Sequence, residues 1–213
     1  MKEMYQKTLS SKLSFEGIGL HSGKSSKINL FPAKENHGIV FKRIDISKNN
    51  YVDANFANVT SAKLCTTLEN KEGIKVSTVE HLLAAFYIVG IDNALIEIDN
   101  EEVPIMDGSA KDFLNELKKD NLVSQSKKRK YLKVLKKFEL VDGDKRIAIE
   151  PHHDSLEVNF QLNYENKIIG KQKNTVDFKK DNLDHVINSR TFCLYQDIEK
   201  IKKIGLAKGG SLE

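Results

Sequence analysis

Apolar and polar residues alternate in short runs through the first hundred positions, then switch twice to helical spacing. Residues 13–15, Gly17-Ile18-Gly19, residues 27–31 and Ile39-Val40-Phe41 read as strands divided by turns, including one at Asn36-His37-Gly38. From Ser77 the period lengthens, and Val79, Leu82, Leu83, Phe86 and Val89 fall on one face of a helix predicted over 77–89. A buried-type strand over 94–98, a loop over 103–109 and a second helix over about 110–119 follow, the last with Phe113, Leu114 and Leu117 on one side. The pattern predicts an α+β domain over residues 1–125 in which both helices pack on one sheet.

Between 120 and 130 the chain turns polar and basic, through Ser124-Gln125-Ser126-Lys127-Lys128-Arg129-Lys130, which reads as a solvated linker and domain boundary. Strand signals resume over 131–140 and 146–150, joined by a hairpin turn at Asp142-Gly143, and continue in the alternation Leu156, Val158, Phe160, Leu162. A helix over about 197–204 carries Leu194, Ile198 and Ile201 as an apolar stripe, with Gly205 to end it. A second α+β domain over 130–213 therefore has ample strand and little helix to cover it, and reads as incomplete.

Composition narrows the function classes. The 34 basic and 30 acidic residues nearly balance, at a net charge of +4, which argues against a protein built around nucleic acid. Cys65 and Cys193 form no C-x-x-C pair, so neither a disulfide framework nor a cysteine zinc knuckle is indicated, and a reducing cytoplasm fits. The first residues lack an apolar signal core, and no apolar run reaches the ~18 residues of a membrane span, so neither secretion nor a transmembrane segment is expected.

The segment Ser77-Thr78-Val79-Glu80-His81 carries the most chemistry, because it sets a carboxylate beside an imidazole at the start of an amphipathic helix. The pair suits a general base next to a metal ligand. Ser77-x-x-Glu80 also fits a capping box, in which Glu80 returns to the Ser77 N–H and has no catalytic part. No His-x-x-x-His or His-x-x-x-Asp supplies a second helical ligand. His37, His152, His153 and His185 read as surface histidines, whereas His21 follows a Gly-rich turn where backbone and ligand approach closely. Cys65, within Leu64-Cys65-Thr66-Thr67-Leu68, alternates like a strand residue and reads as a buried structural thiol. No Gly-x-Ser-x-Gly elbow occurs, and Gly205-Leu206-Ala207-Lys208-Gly209-Gly210 lacks the Gly-Lys-Ser/Thr ending of a phosphate loop.

Taken together, Gly17-Ile18-Gly19-Leu20-His21-Ser22-Gly23-Lys24, residues 64–68, residues 77–85, residues 102–110 and Ser189-Arg190-Thr191-Phe192 resemble one family, the zinc-dependent UDP-3-O-acyl-N-acetylglucosamine deacetylases of lipid A biosynthesis. Residues 205–213 look like a sixth island. The resemblance implies two related sheet-plus-helix domains forming a layered sandwich, with helices between the sheets, and a cytoplasmic enzyme that is monomeric at full length. It implies His81 as a zinc ligand and Glu80 as the base that deprotonates the attacking water, whose pKa zinc lowers from about 15.7 to about 7. Thr191 matches the residue that helps hold the oxyanion. Phe192 begins an insert whose stripe of Leu194, Ile198 and Ile201 would form an acyl-chain passage, and Lys145 and Tyr164 align where the family binds phosphate and stacks uracil. The substrate implied is a UDP-linked acylated amino sugar.

The family's remaining zinc ligands, in a His-Lys-x-x-Asp pattern, and a His that protonates the leaving amine have no counterpart here. One of about three expected ligands is present, so this chain alone is expected to bind zinc weakly and to turn over negligibly. Two other readings stay open: a non-catalytic module that binds the nucleotide sugar or acyl chain, and a basic RNA-binding protein using the cluster over 127–137.

Overall fold

The computed structural model describes residues 5–211 and comprises two units, one formed by the chain up to residue 129 together with residues from 187 onward, the other by residues 130–186. The first unit contains, in chain order, β1 (Tyr5–Thr8), β2 (Leu13–Ile18), β3 (Ser25–Pro32), β4 (Ile39–Arg43), β5 (Tyr51–Asp53), β6 (Val59–Ser61), β7 (Thr67–Glu69), β8 (Lys75–Ser77), α1 (Glu80–Val89), β9 (Ala94–Ile98), α2 (Lys111–Lys119) and β10 (Val123–Lys128). The α+β class expected from the pattern is the one observed.

Five strands form the main sheet in the order β2-β3-β9-β4-β5, with β4 and β9 parallel and the other pairs antiparallel. Register explains the core. Phe15 opposes Ile28 and Ile28 opposes Ile98, while Leu30, Ile96, Phe41 and Val52 line the next row of the same face. All seven are at most 5% exposed. Helices α1 and α2 pack against each other and bury Leu82, Ala85 and Phe86 from the first and Phe113, Leu114 and Leu117 from the second. Phe113 meets Phe15 edge-on at 5.0 Å, which fixes α2 on β2. A smaller sheet, β6-β7-β8, delivers the chain into α1.

Residues 123–128 are not the expected solvated linker. They form β10, which pairs antiparallel with β1, because their polar side chains find specific partners. Gln125 donates to Ala33 O at 2.9 Å and accepts from Asn93 at 2.7 Å, and Arg129 donates to Gly90 O and to Asp92 Oδ2.

The second unit is two hairpins. β11 (Phe138–Asp142) pairs with β12 (Lys145–Ile149) through the turn at Asp142-Gly143, and β13 (Glu157–Asn163) pairs with β14 (Lys171–Asp177). The strand expected over 131–140 begins only at Phe138, and the polar strand β14, KQKNTVD, carries no alternation by which to recognise it. A short helix, α3 (Asp184–Ile187), follows at the end of this unit, and α4 (Tyr195–Lys203) belongs to the first. No helix among the described residues is long and apolar enough to cross a membrane.

Candidate active site

The turn between β8 and α1 decides where Glu80 and His81 lie. Thr78 sits at φ +57, a left-handed conformation that costs a β-branched residue on the order of 1–3 kcal/mol. Its hydroxyl donates to Glu102 Oε1 at 2.9 Å. Glu102 is itself 1% exposed and accepts two further bonds, from the backbone N–H groups of His21 at 2.8 Å and Ser22 at 2.7 Å. One buried carboxylate therefore ties the 17–23 turn to the residue that redirects the chain into α1. Gly19 is required beside it, since a Cβ there would collide with the Glu102 carboxylate and the Ser22 hydroxyl.

The capping box does not form. The Ser77 N–H donates instead to Glu101 O at 2.8 Å, and the N-cap position falls on Val79. Glu80 is thereby released from Ser77, and its Oε2 accepts the Thr66 N–H at 3.0 Å. Glu80 and His81 are both half-buried in the first turn of α1, where the helix dipole favours a carboxylate. His81 Nδ1 is buried and has no hydrogen-bond partner among the described residues.

Cys65 is not the buried strand thiol expected from its alternation. It lies in the turn between β6 and β7, half-buried, after Leu64 at φ +63. Its sulfur lies 3.8 Å from Thr67 Oγ1, and His21, which is 8% exposed, is close enough in the same unit to perturb it electrostatically. The pair shifts both groups: the Cys65 thiol, assisted by the Leu64 carbonyl and the Glu102 charge, raises the His21 pKa against the opposing effect of burial. His21 in turn lowers the Cys65 pKa despite burial, with help from Thr67 and Thr78. Both residues line a cavity of about 430 Å³, together with Ser77, Glu102 and Leu206.

The late segments return to the same unit. Ala207 donates its N–H to His21 Nδ1 at 3.4 Å, and Gly209 donates to Leu20 O at 3.0 Å, so the segment over 205–210 is a strap over the 17–23 turn. Thr191 donates its N–H to Gly108 O at 2.8 Å, seating Arg190 and Thr191 on the Asp107-Gly108-Ser109 turn. Burial raises the Asp107 pKa, but bonds from Ser109 and the charges of Arg190 and Lys111 outweigh it and leave the carboxyl below its usual range.

Similarity runs the whole length of this constellation. The family profile LpxC, UDP-3-O-acyl N-acetylglycosamine deacetylase, matches residues 6–213. A UDP-3-O-acyl-N-acetylglucosamine deacetylase of Geotalea uraniireducens (strain Rf4) is 43% identical over 210 residues, which is 98% of this chain and 68% of the relative. Similarly named proteins of a Nitratiruptor species and of Phenylobacterium zucineum (strain HLK1) are 39% and 37% identical over 99% of the chain, and 70% and 72% of their own lengths are covered. The chain belongs to the UDP-3-O-acyl-N-acetylglucosamine deacetylase family.

All six segments that suggested this family lie in the first unit. Phe192 is exposed, and α4 has no buried residue; Leu194, Ile198 and Ile201 are half-buried, so the stripe is not a packed core. Lys145 and Tyr164 belong to the second unit, Lys145 exposed opposite Asp142 at the start of β12 and Tyr164 half-buried just after β13. His152, His153 and His185 are exposed, and His37 is exposed with Nδ1 against Gly38 O. Sequence reasoning missed the roles of Glu102 and Thr78. The one available signal was a glycine at position 19, facing an acid 83 positions later that no periodicity connects to it.

Proposed function

We propose that this chain carries the base-and-imidazole part of an amide-hydrolysing site that removes the acetyl group from a UDP-linked 3-O-acylated N-acetylglucosamine in lipid A biosynthesis. The observation that carries the reading is the Glu80-His81 pair, in which Glu80 is withdrawn from helix capping and held by Thr66, while the neighbouring imidazole keeps a buried, unpartnered nitrogen. It stands in a chain that its deacetylase relatives match over 98–99% of its length.

In this reading Glu80 takes a proton from water as the water oxygen adds to the acetamide carbonyl, a step worth about 10²–10⁴-fold in rate. Thr191 stabilises the oxyanion from its seat on the Gly108 turn. Phe192, with the half-buried Leu194 just before α4 and Ile198 and Ile201 on it, guides the acyl chain. Lys145 and Tyr164 serve the phosphate and uracil of the nucleotide. The free Cys65 and Cys193 agree with a reducing, cytoplasmic setting.

His81 fits the family's zinc as one donor. A catalytic zinc takes about three protein ligands, and no group of three His, Cys, Asp or Glu side chains able to hold a metal exists among the described residues. The residues present do not complete a zinc site by themselves, so this 213-residue polypeptide binds zinc weakly and releases negligible acetate unaided.

The test joins this chain to the carboxy-terminal third of the Geotalea relative and measures acetate release from the nucleotide sugar. Hydrolysis is expected in the fusion, and Glu80→Gln lowers kcat by about 10²–10⁴-fold. Full activity in the Glu80→Gln fusion, or in the unfused chain, overturns the proposal.

A further inference from the structure

The start of α1 has two arrangements that exclude each other. In a capping box Glu80 returns to the Ser77 N–H, which requires Thr78 and Val79 to take right-handed helical angles as the first residues of the helix. Val79 does so, at φ −82 and ψ −15, but Thr78 stands at φ +57. The branched Cβ of threonine disfavours a left-handed backbone, so the observed start is held from outside the segment over 77–80.

Residues 101–103 do the holding. The Ser77 N–H that Glu80 could cap donates to Glu101 O at 2.8 Å, and Ser77 O accepts the Val103 N–H at 3.1 Å. Between those two backbone bonds the buried Glu102 carboxylate takes the hydroxyl of buried Thr78 at 2.9 Å. The carboxylate is not free to follow Thr78 elsewhere, because the backbone N–H groups of His21 and Ser22 hold it at 2.8 and 2.7 Å. With Thr78 fixed, the next two residues lie against Thr66: Val79 donates to Thr66 O at 3.5 Å, and Glu80 Oε2 accepts the Thr66 N–H at 3.0 Å.

We propose that Glu102 is a positioning residue for Glu80, acting through the Thr78 hydroxyl to keep the helix start out of the capping box and the Glu80 carboxylate on Thr66. It selects between two partners of Glu80, Ser77 and Thr66. The selection bears on catalysis only through the reading of Glu80 as the base, on which this inference rests.

Three substitutions test it. Thr78→Val keeps the branched shape and removes the donor, Thr78→Ser keeps the donor, and Glu102→Gln sets an amide N–H2 group among three donors. In the intact chain, amide hydrogen exchange at Thr66 is expected to quicken about tenfold in Thr78→Val and in Glu102→Gln beyond any change in β3 and β9, whose amides report general loss of stability. Thr78→Ser is expected to leave Thr66 protected. In the chain fused to the carboxy-terminal third of the Geotalea relative, Thr78→Val and Glu102→Gln should each lower kcat about 10–100-fold at unchanged KM, and Thr78→Ser should keep it. Because both act through one bond, the double variant should lose no more than the more impaired single one. Thr66 exchange that quickens no more than that of β3 and β9, or full kcat in the Thr78→Val fusion while Glu80→Gln is inactive, overturns the positioning role and leaves the base standing. If the Glu80→Gln fusion is fully active, the base itself falls, and the Thr66 amide alone decides whether Glu102 sets the partner of Glu80.

Discussion

The two units use the same alternation of apolar and polar residues and obtain opposite results. In the first, Ile28, Leu30 and Ile96 are each 0% exposed; in the second, Leu140, Ile147 and Phe160 are 68%, 69% and 57% exposed. The strands themselves are comparable, for β11–β12 and β13–β14 pair in unbroken register. What differs is the second layer. Helices α1 and α2 cover the first sheet, whereas Leu140, Ile147 and Phe160 of the hairpins stand exposed and Val176, near the end of β14, is their only buried apolar residue among those described. Alternation thus specifies a strand and its two faces, but burial, at roughly 25 cal/mol per Å², accrues only when another element closes over one of them.

Substitutions sharpen this contrast. Phe113→Ala removes the ring that locks α2 to Phe15, and should cost about 3–5 kcal/mol in urea unfolding. Phe160→Ala, at an exposed position, should cost under about 1 kcal/mol in the same measurement. Equal losses would break the comparison. Next in size, Glu102→Ala leaves three donors without their acceptor and should lower the stability of the first unit by about 2–4 kcal/mol, with the 17–23 turn exchanging its amides fastest.

The smallest effect lies in the second unit. Asp177 accepts from the Lys179 N–H, which with Lys180 and Ser155 holds its pKa down at about 2 against the raising effect of burial, from an ordinary 3.8. A depressed carboxyl stabilises the fold above its unfolded pKa, and that contribution is lost as pH falls through the folded value. The β13–β14 pair should therefore weaken between pH 3.8 and about 2, and Asp177→Asn should flatten that dependence in amide chemical shifts. An unaltered acid response in Asp177→Asn would detach this carboxylate from the second unit's stability.

The same physics explains what could be read in advance. The faces of α1 and α2 were legible because burial against one sheet imposes a period on a contiguous stretch, as Leu82, Phe86, Phe113 and Leu117 show. β10 was not, since Gln125 and the adjoining Arg129 hydrogen-bond residues over 30 positions away, which no local pattern encodes. Glu80 and His81 stood out as neighbours in sequence, yet Ser77-x-x-Glu80 fits capping and catalysis alike. Only the turn at Thr78, set by Glu102, separates the two. Cys65 misled for a related reason: alternation over five residues was broken by one left-handed residue, Leu64.

The central claim is that Glu80 and His81 are arranged to serve a metal-assisted hydrolysis and not to cap a helix. Titrating zinc into the intact chain while following the imidazole nitrogen resonances of all six histidines tests it most directly. The account predicts that His81 responds at the lowest zinc concentration, weakly and without saturation at one equivalent, and that His81→Ala abolishes this first response. Tight stoichiometric binding that leaves His81 unmoved would contradict it.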